Sequence, residues 1–244
     1  MDKVLLVTGA SSEVGVALIK KVYDDYSFIL AHYNSNIGQI EELRKLYGDK
    51  IIPIKCNFQS EDNIESMITT IKEMNMIPDH IVHLSSPKIH HEYFQKRKWK
   101  EYQDGIDISL QSAVCLLSAF LPVMKKKKYG KIVFMLTSYV SGTAPKFQSA
   151  YITVKYALYG LMRSLAAEFA DKGITVNAIS PDMMETKFLS DMPDVVVRMN
   201  ADKNPLKRNI RVDDVIPTLS YLLSDDSDTV TGQNIAITAG SELM

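Results

Sequence analysis

VLLVTGASSEVG, Val4 to Gly15, reads as a strand that enters a turn and then a helix. Val4 to Thr8 is a short apolar run halted at Gly9, the pattern of a buried strand meeting a tight turn. From there Val14, Ala17, Leu18 and Val22 recur at helical spacing. Strand, glycine turn and helix together open a nucleotide-binding βαβ unit. The glycine permits the turn, so that helix N–H groups and the helix dipole face a pyrophosphate. Thr8, Ser11 and Ser12 are expected to add hydroxyl donors around that anion.

The same alternation continues along the chain. Strands are expected at Ser27–His32, Ile51–Cys56, His80–Leu84, Lys131–Leu136, Ile174–Ile179 and Asn234–Thr238. Between them lie amphipathic helices: Ile37–Tyr47, a helix capped by Ser60 with Ile64, Met67, Ile68 and Ile71 on one face, and Gln148–Ala170. Phe94 to Lys127 reads as one long, bent helical region, and Val212–Leu223 as a helix capped around Asp213 and Asp214. The pattern predicts an α/β fold: a Rossmann-type doubly wound parallel sheet of about seven strands with helices on both faces, in one domain spanning 1–244. The segment Asp182 to Asn209, rich in Met, Asp, Lys and Pro, shows only weak periodicity. It is expected to form an irregular lid, about 182–210, over a ligand site at the carboxyl end of a strand.

Composition excludes several function classes. A formal net charge of -1 gives no electrostatic case for nucleic acid or an anionic membrane as partner. The basic runs Lys96–Lys100 and Lys125–Lys128 read as solvated helix ends. Cys56 and Cys115 sit in apolar runs without metal-type spacing, so two buried thiols in a reduced compartment are expected. His90 and His91 lack supporting ligands, and no metal site is expected. With no signal-like or membrane-spanning segment expected, the location is read as cytoplasmic.

The chemistry gathers at Ser138, Tyr151 and Lys155. Tyr151 and Lys155 are four apart on an expected helix and share one face. A phenol titrates near pH ~10, and a neighbouring ammonium lowers that value. A tuned tyrosine can donate a proton to a carbonyl oxygen or take one from an alcohol. Ser138, on the loop after the preceding strand, can hydrogen-bond the same oxygen.

The chain resembles the short-chain dehydrogenase/reductases over its whole length. Within that family it is most similar to 3-oxoacyl-[acyl carrier protein] reductases, through GITVNAISPDMMET (Gly173–Thr186) and YLLSDDSDTVTGQ (Tyr221–Gln233). The resemblance implies that Tyr151 is the acid/base, that Ser138 holds the substrate oxygen, and that Lys155 lowers the tyrosine pKa and binds the nicotinamide ribose. It aligns Ser109 with the fourth catalytic position, where the family has asparagine and where a serine could support a water-mediated proton relay. It also implies that Gly9, Ser11, Ser12, Val14, Gly15, Tyr33, Asn34, Asn57, Phe58, Ser85, Tyr151, Lys155, Pro181, Met184 and Thr186 line the cofactor.

The chain departs from that family at several points. Glu13 occupies the middle glycine of the phosphate loop, where a carboxylate either repels the pyrophosphate or points to solvent. Leu84 replaces an asparagine, and Asp182 a glycine. The end of the second strand, His32-Tyr33-Asn34-Ser35, carries no acid to bond the ribose hydroxyls, which with Asn57 favours NADP(H) over NAD(H). The stretch itself carries no Arg or Lys to hold the extra phosphate, which weakens that preference. The implied partners are a small carbonyl or alcohol substrate, acyl-carrier-bound in the nearest resemblance, and a second copy of the chain in a homodimer or homotetramer. Methionines at 183, 184, 192 and 199 suit an adaptable apolar pocket. The departures keep a second reading open: a degenerate member acting as a binding or assembly subunit with weak or no turnover.

Overall fold

A computed structural model describes residues 3–189 and 192–242. Within it, seven strands form one parallel sheet in the order β3-β2-β1-β4-β5-β6-β7. They are β1 (Val4–Thr8), β2 (Phe28–Tyr33), β3 (Ile51–Lys55), β4 (His80–His83), β5 (Gly130–Met135), β6 (Ile174–Pro181) and β7 (Asn234–Ile237). The expected strands are all present, with ends moved by one or two residues.

Alternating side chains build two separate cores, as a sheet covered on both faces requires. On one face Leu6, Leu30, Ile81, Ile132 and Phe134 pack under α3 (Glu61–Glu73), α5 (Ser112–Lys127) and α6 (Ser149–Phe169). On the other, Leu5, Val7, Ile29, Val82 and Val133 pack under α1 (Glu13–Val22), α2 (Gly38–Tyr47) and α8 (Val212–Leu223). The chain turns back between β1 and β4, and in such sheets ligands bind outside the carboxyl ends of the strands at that switch point.

Four expectations need correction. The long helical region is continuous only from Trp99: a 3-10 turn, Phe94–Lys96, precedes α4 (Trp99–Gly105), and a π-helical turn, Ile106–Gln111, joins α4 to α5. The continuous run Trp99–Lys127 is also long and apolar enough to cross a membrane by length and composition, contrary to the sequence reading. One stripe of it, including Leu117, Phe120 and Met124, is buried against the sheet as in a core helix. The lid is not irregular throughout, since it contains α7 (Asp194–Lys203). No residue of α7 is buried, so it offers no apolar stripe for periodicity to reveal. Ser190 and Asp191 of that lid lie outside the described residues. Finally, Cys56 is buried as expected, but Cys115 is only half-buried.

Candidate active site

The phosphate loop takes its shape from two glycines and a histidine. Gly9 has φ of 66°, a left-handed conformation open to glycine at little cost. A Cβ on Gly15 would stand 2.7 Å from the Ala10 backbone, so α1 can approach the turn only with glycine there. His32, at the end of β2, accepts from the Gly9 N–H through Nδ1 at 3.0 Å and donates from Nε2 to the Cys56 carbonyl at 3.1 Å. Its ring stacks on Phe58 at 3.9 Å. The turn is therefore tied to β2 and β3 as well as to its own strand.

Ser12 caps α1 by accepting from the Gly15 N–H at 3.1 Å. The N–H groups of Glu13 and Val14 have no acceptor among the described residues, which leaves an anion-binding helix end. Thr8 does not join it, against expectation. Its hydroxyl is buried, donates to His83 Nδ1 at 3.0 Å and accepts from Leu84 N–H, fastening β1 to β4. Glu13 is exposed, as the solvent-facing alternative holds, but it is not free. Its carboxylate accepts from the Lys187 backbone N–H of the lid at 3.0 Å, bridging the two walls of the cleft.

At the other end of the cleft, β5 delivers Thr137 and the turn Ser138–Val140 against α6. Lys155 is 3% exposed and donates to the Met135 carbonyl at 2.8 Å. Its ammonium lies 5.5 Å from the centroid of the Tyr151 ring. Ser138 is 2% exposed, and its hydroxyl has no partner among the described residues. A buried hydroxyl without a partner costs free energy unless a ligand or water completes it.

The expected lowering of the tyrosine pKa is not seen. Burial pushes the Tyr151 phenol well above its usual range; a hydrogen bond with Thr137 opposes the shift and nearby Tyr139 adds to it. Burial also brings Lys155 down to about 8. At neutral pH the phenol therefore holds its proton, the form a general acid needs.

Ser109 sits in the π-helical turn with its hydroxyl buried and without a partner among the described residues. Its carbonyl accepts from His83 Nε2 at 2.8 Å. Sequence reasoning missed His32, His83 and Thr137, although a histidine near the end of a strand bordering the phosphate loop was a readable signal. The remaining expected cofactor residues lie along the carboxyl edge of the sheet: Ser11 after β1, Tyr33 and Asn34 at the end of β2, Asn57 and Phe58 after β3, Ser85 after β4, Pro181 at the end of β6, and Met184 and Thr186 after it. Lys55, paired in register with Tyr33 and exposed, brings to the end of β2 the basic residue that the stretch His32-Tyr33-Asn34-Ser35 lacks. Asp182, in place of glycine, accepts from Met183 N–H and the Ser241 hydroxyl, each at 2.8 Å, and so ties the start of the lid to the C-terminal segment. Among the described residues no group of His, Cys, Asp and Glu could hold a metal ion.

Comparison with known proteins bears on this geometry. A family model described as enoyl-(acyl carrier protein) reductase matches residues 10–242. The chain belongs to the short-chain dehydrogenase/reductase family. It is 27% identical over 243 residues to the 3-oxoacyl-[acyl-carrier-protein] reductase FabG of Staphylococcus epidermidis, covering 98% of this chain and 99% of that one. The FabG of Haemophilus influenzae is 28% identical over 239 residues, covering 98% and 97%. A solved structure from Agrobacterium tumefaciens, provisionally assigned as a gluconate dehydrogenase, superimposes with a TM-score of 0.89 at 25% identity, covering 99% of this chain and 97% of that one. Levodione reductase gives the same TM-score, 0.89, at 20% identity and supports the fold alone, covering 98% and 97%.

As a family member the chain is an oxidoreductase of CH–OH groups, and the family implies a nicotinamide cofactor. The open N–H groups of α1 and the glycine-shaped turn fit such a dinucleotide. Glu13 is the one residue at the loop whose charge opposes it.

Proposed function

We propose that this protein is a carbonyl reductase that draws on NADP(H) and converts a ketone to a secondary alcohol, with Tyr151 as acid. The observation that carries the reading is the buried hydroxyl of Ser138, without a partner among the described residues, on a turn that packs against the helix carrying a phenol kept protonated by burial. Those two groups offer hydrogen bonds to one carbonyl oxygen, where negative charge develops in the transition state. Lys155, held by the Met135 carbonyl, places a cation beside the phenol and stabilises the phenolate left after proton transfer. The nicotinamide, when bound, supplies the hydride. The residues that would hold it are Gly9, Ser11, Ser12, Val14 and Gly15 at the pyrophosphate, with Tyr33, Asn34, Asn57 and Phe58 towards the adenosine. Ser85, Lys155, Pro181, Met184 and Thr186 would lie towards the nicotinamide. Lys55 beside Tyr33 supports NADP(H), because it brings a cation to the end of β2 where the extra phosphate would lie.

The named relatives act on acyl-carrier substrates, and a 3-oxoacyl thioester is accordingly the first substrate class to test. Exposed apolar residues on the α4–α6 side, Trp99 at 69% and Phe94 at 74% with Val114 and Tyr156, suit pairing with a second copy. A homodimer or homotetramer is the assembly that reading expects, and the FabG relatives suggest the cytoplasm as its location. NADPH oxidation followed with a panel of 3-oxoacyl thioesters, sugars and small ketones tests it. Tyr151→Phe is expected to lose at least about 100-fold in kcat with little change in fold; a variant as fast as the wild type refutes the assignment. The subunit reading is favoured by one observation, the Glu13–Lys187 hydrogen bond across the cleft. It predicts that no substrate in the panel is reduced.

A further inference from the structure

The turn that begins at Ser138 runs on to Gly142, and a carboxylate fills the space that glycine leaves open. Glu242, in the segment after β7, lies where a Cβ on Gly142 would stand. Its backbone carbonyl accepts from the Thr238 hydroxyl at 3.2 Å, which folds the C-terminal segment back towards the turn. One residue earlier, the Ser241 hydroxyl donates at 2.8 Å to Asp182, the acid that stands in place of a glycine after β6. Two carboxylates are thus drawn together beside the Ser138 turn. Tyr139 links them to the catalytic phenol. Burial raises its pKa first, the charges of Asp182 and Glu242 add to that, and its own charge reaches Tyr151.

Neither carboxylate meets a cation. Among the described residues neither forms an ion pair. Glu242 is half-buried as a residue, but its Oε2 is buried and accepts no hydrogen bond among the described residues. Burial, and then the Asp182 charge, hold the Glu242 carboxyl above its usual range, as negative charge without compensation does. A second acceptor is left over on α6, one turn before Tyr151. Gln148 is 5% exposed, and its Oε1 accepts nothing among the described residues. Buried acceptors of this kind are costly unless a ligand or water supplies a donor. An apolar chain laid against them would seal them without one. A neutral hydroxyl would satisfy a lone pair and leave two like charges together. An N–H donor that carries positive charge answers both needs.

We propose that the ketone reduced here carries an ammonium group, held by Asp182 and Glu242 while its carbonyl oxygen meets Ser138 and Tyr151. The inference rests on the reductase reading above and narrows its substrate class to amino ketones. A cation held there also offsets the repulsion that the two carboxylates exert on the phenolate left at Tyr151 after proton transfer.

Two ring ketones of one shape test this. N-methyl-4-piperidone and 4-methylcyclohexanone differ in whether a protonated nitrogen sits across the ring from the carbonyl. With NADPH at pH 7, kcat/KM is expected to favour the piperidone by about 10-fold or more, the scale of one hydrogen bond to a charged group. Asp182→Asn and Glu242→Gln should each bring that ratio towards one, chiefly through the KM of the piperidone. The ratio is the readout, because a merely structural loss lowers both rates together. A ratio near one in the wild type, or one that either substitution leaves unchanged, overturns the proposal. Thioester substrates separate its failure from that of the reductase reading. If 3-oxoacyl thioesters are reduced and the piperidone is not favoured, the reductase reading stands and the ammonium site falls. If no ketone of either kind is reduced, the reductase reading falls and this inference with it.

Discussion

Glu13 shows how one residue can set the affinity of a whole cleft. Its carboxylate occupies a position at the helix N-terminus that suits negative charge, yet a pyrophosphate would compete for the same helix end. The bond to Lys187 N–H holds the side chain across the cleft towards the lid. Glu13→Gly removes both the charge and the bridge. NADPH is expected to bind about 3- to 10-fold more tightly, the scale of one partly screened charge contact, as read by nicotinamide fluorescence. Unchanged or weaker binding would show that the bridge assists closure on the cofactor. That Tyr151 and Lys155 meet was legible, because their four-residue spacing puts both on one face of a helix. The direction of the tyrosine shift was not legible, because burial decides it and burial comes from the packing of α6 on β5.

Elements carry the next level of organisation. α4 crosses α6 at Gly105, where an added Cβ would stand 2.8 Å from Val154 Cγ2, one residue before Lys155. Gly105→Val forces these helices apart. It is expected to cost roughly 1–3 kcal/mol in denaturant unfolding and to reduce activity by more than its loss of stability explains. Equal activity of the folded fraction would contradict a role for that crossing in placing Lys155. The π-helical turn that follows was not legible, because a π turn changes the backbone bonding without changing the apolar pattern of the segment. α7 was missed because none of its residues is buried, so its apolar residues mark no core-facing stripe. The strands were read correctly because each is a buried apolar run bounded by turn residues, a signal that depends on no distant contact.

The whole molecule is stapled internally by three buried histidines. Each is held as the neutral Nε2–H tautomer by consistent donors and acceptors. His32 lies between Gly9 N–H and the Cys56 carbonyl, and His83 between the Thr8 hydroxyl and the Ser109 carbonyl. His80 lies between the Tyr26 hydroxyl at 2.6 Å and the Tyr129 hydroxyl at 3.0 Å, which donates on to Asp225 at 3.1 Å. Burial lowers His32 to about 4 and His80 and His83 to about 3. In the unfolded chain all three titrate near ~6.5. Because the folded values are depressed, the unfolded state binds more protons as pH falls below that point. The stability present above about pH 6.5 is then lost towards pH 4, by up to ~1.4 kcal/mol per pH unit for each histidine. Against a usual total of ~5–15 kcal/mol, acid unfolding is expected well above pH 3. Urea midpoints at pH 7, 6 and 5 should fall steeply, and midpoints that stay level would show that these rings become charged in place.

The account as a whole requires that the glycine-shaped turn and the open helix end accept a dinucleotide despite Glu13. Titration of the purified protein with NADPH, and separately with NADH, by nicotinamide fluorescence tests that requirement most directly. Saturable binding of NADPH in the micromolar range, tighter than NADH, is the predicted result. No binding of either nucleotide at millimolar concentration would contradict the reductase assignment and leave the chain as a binding or assembly subunit built on the same fold.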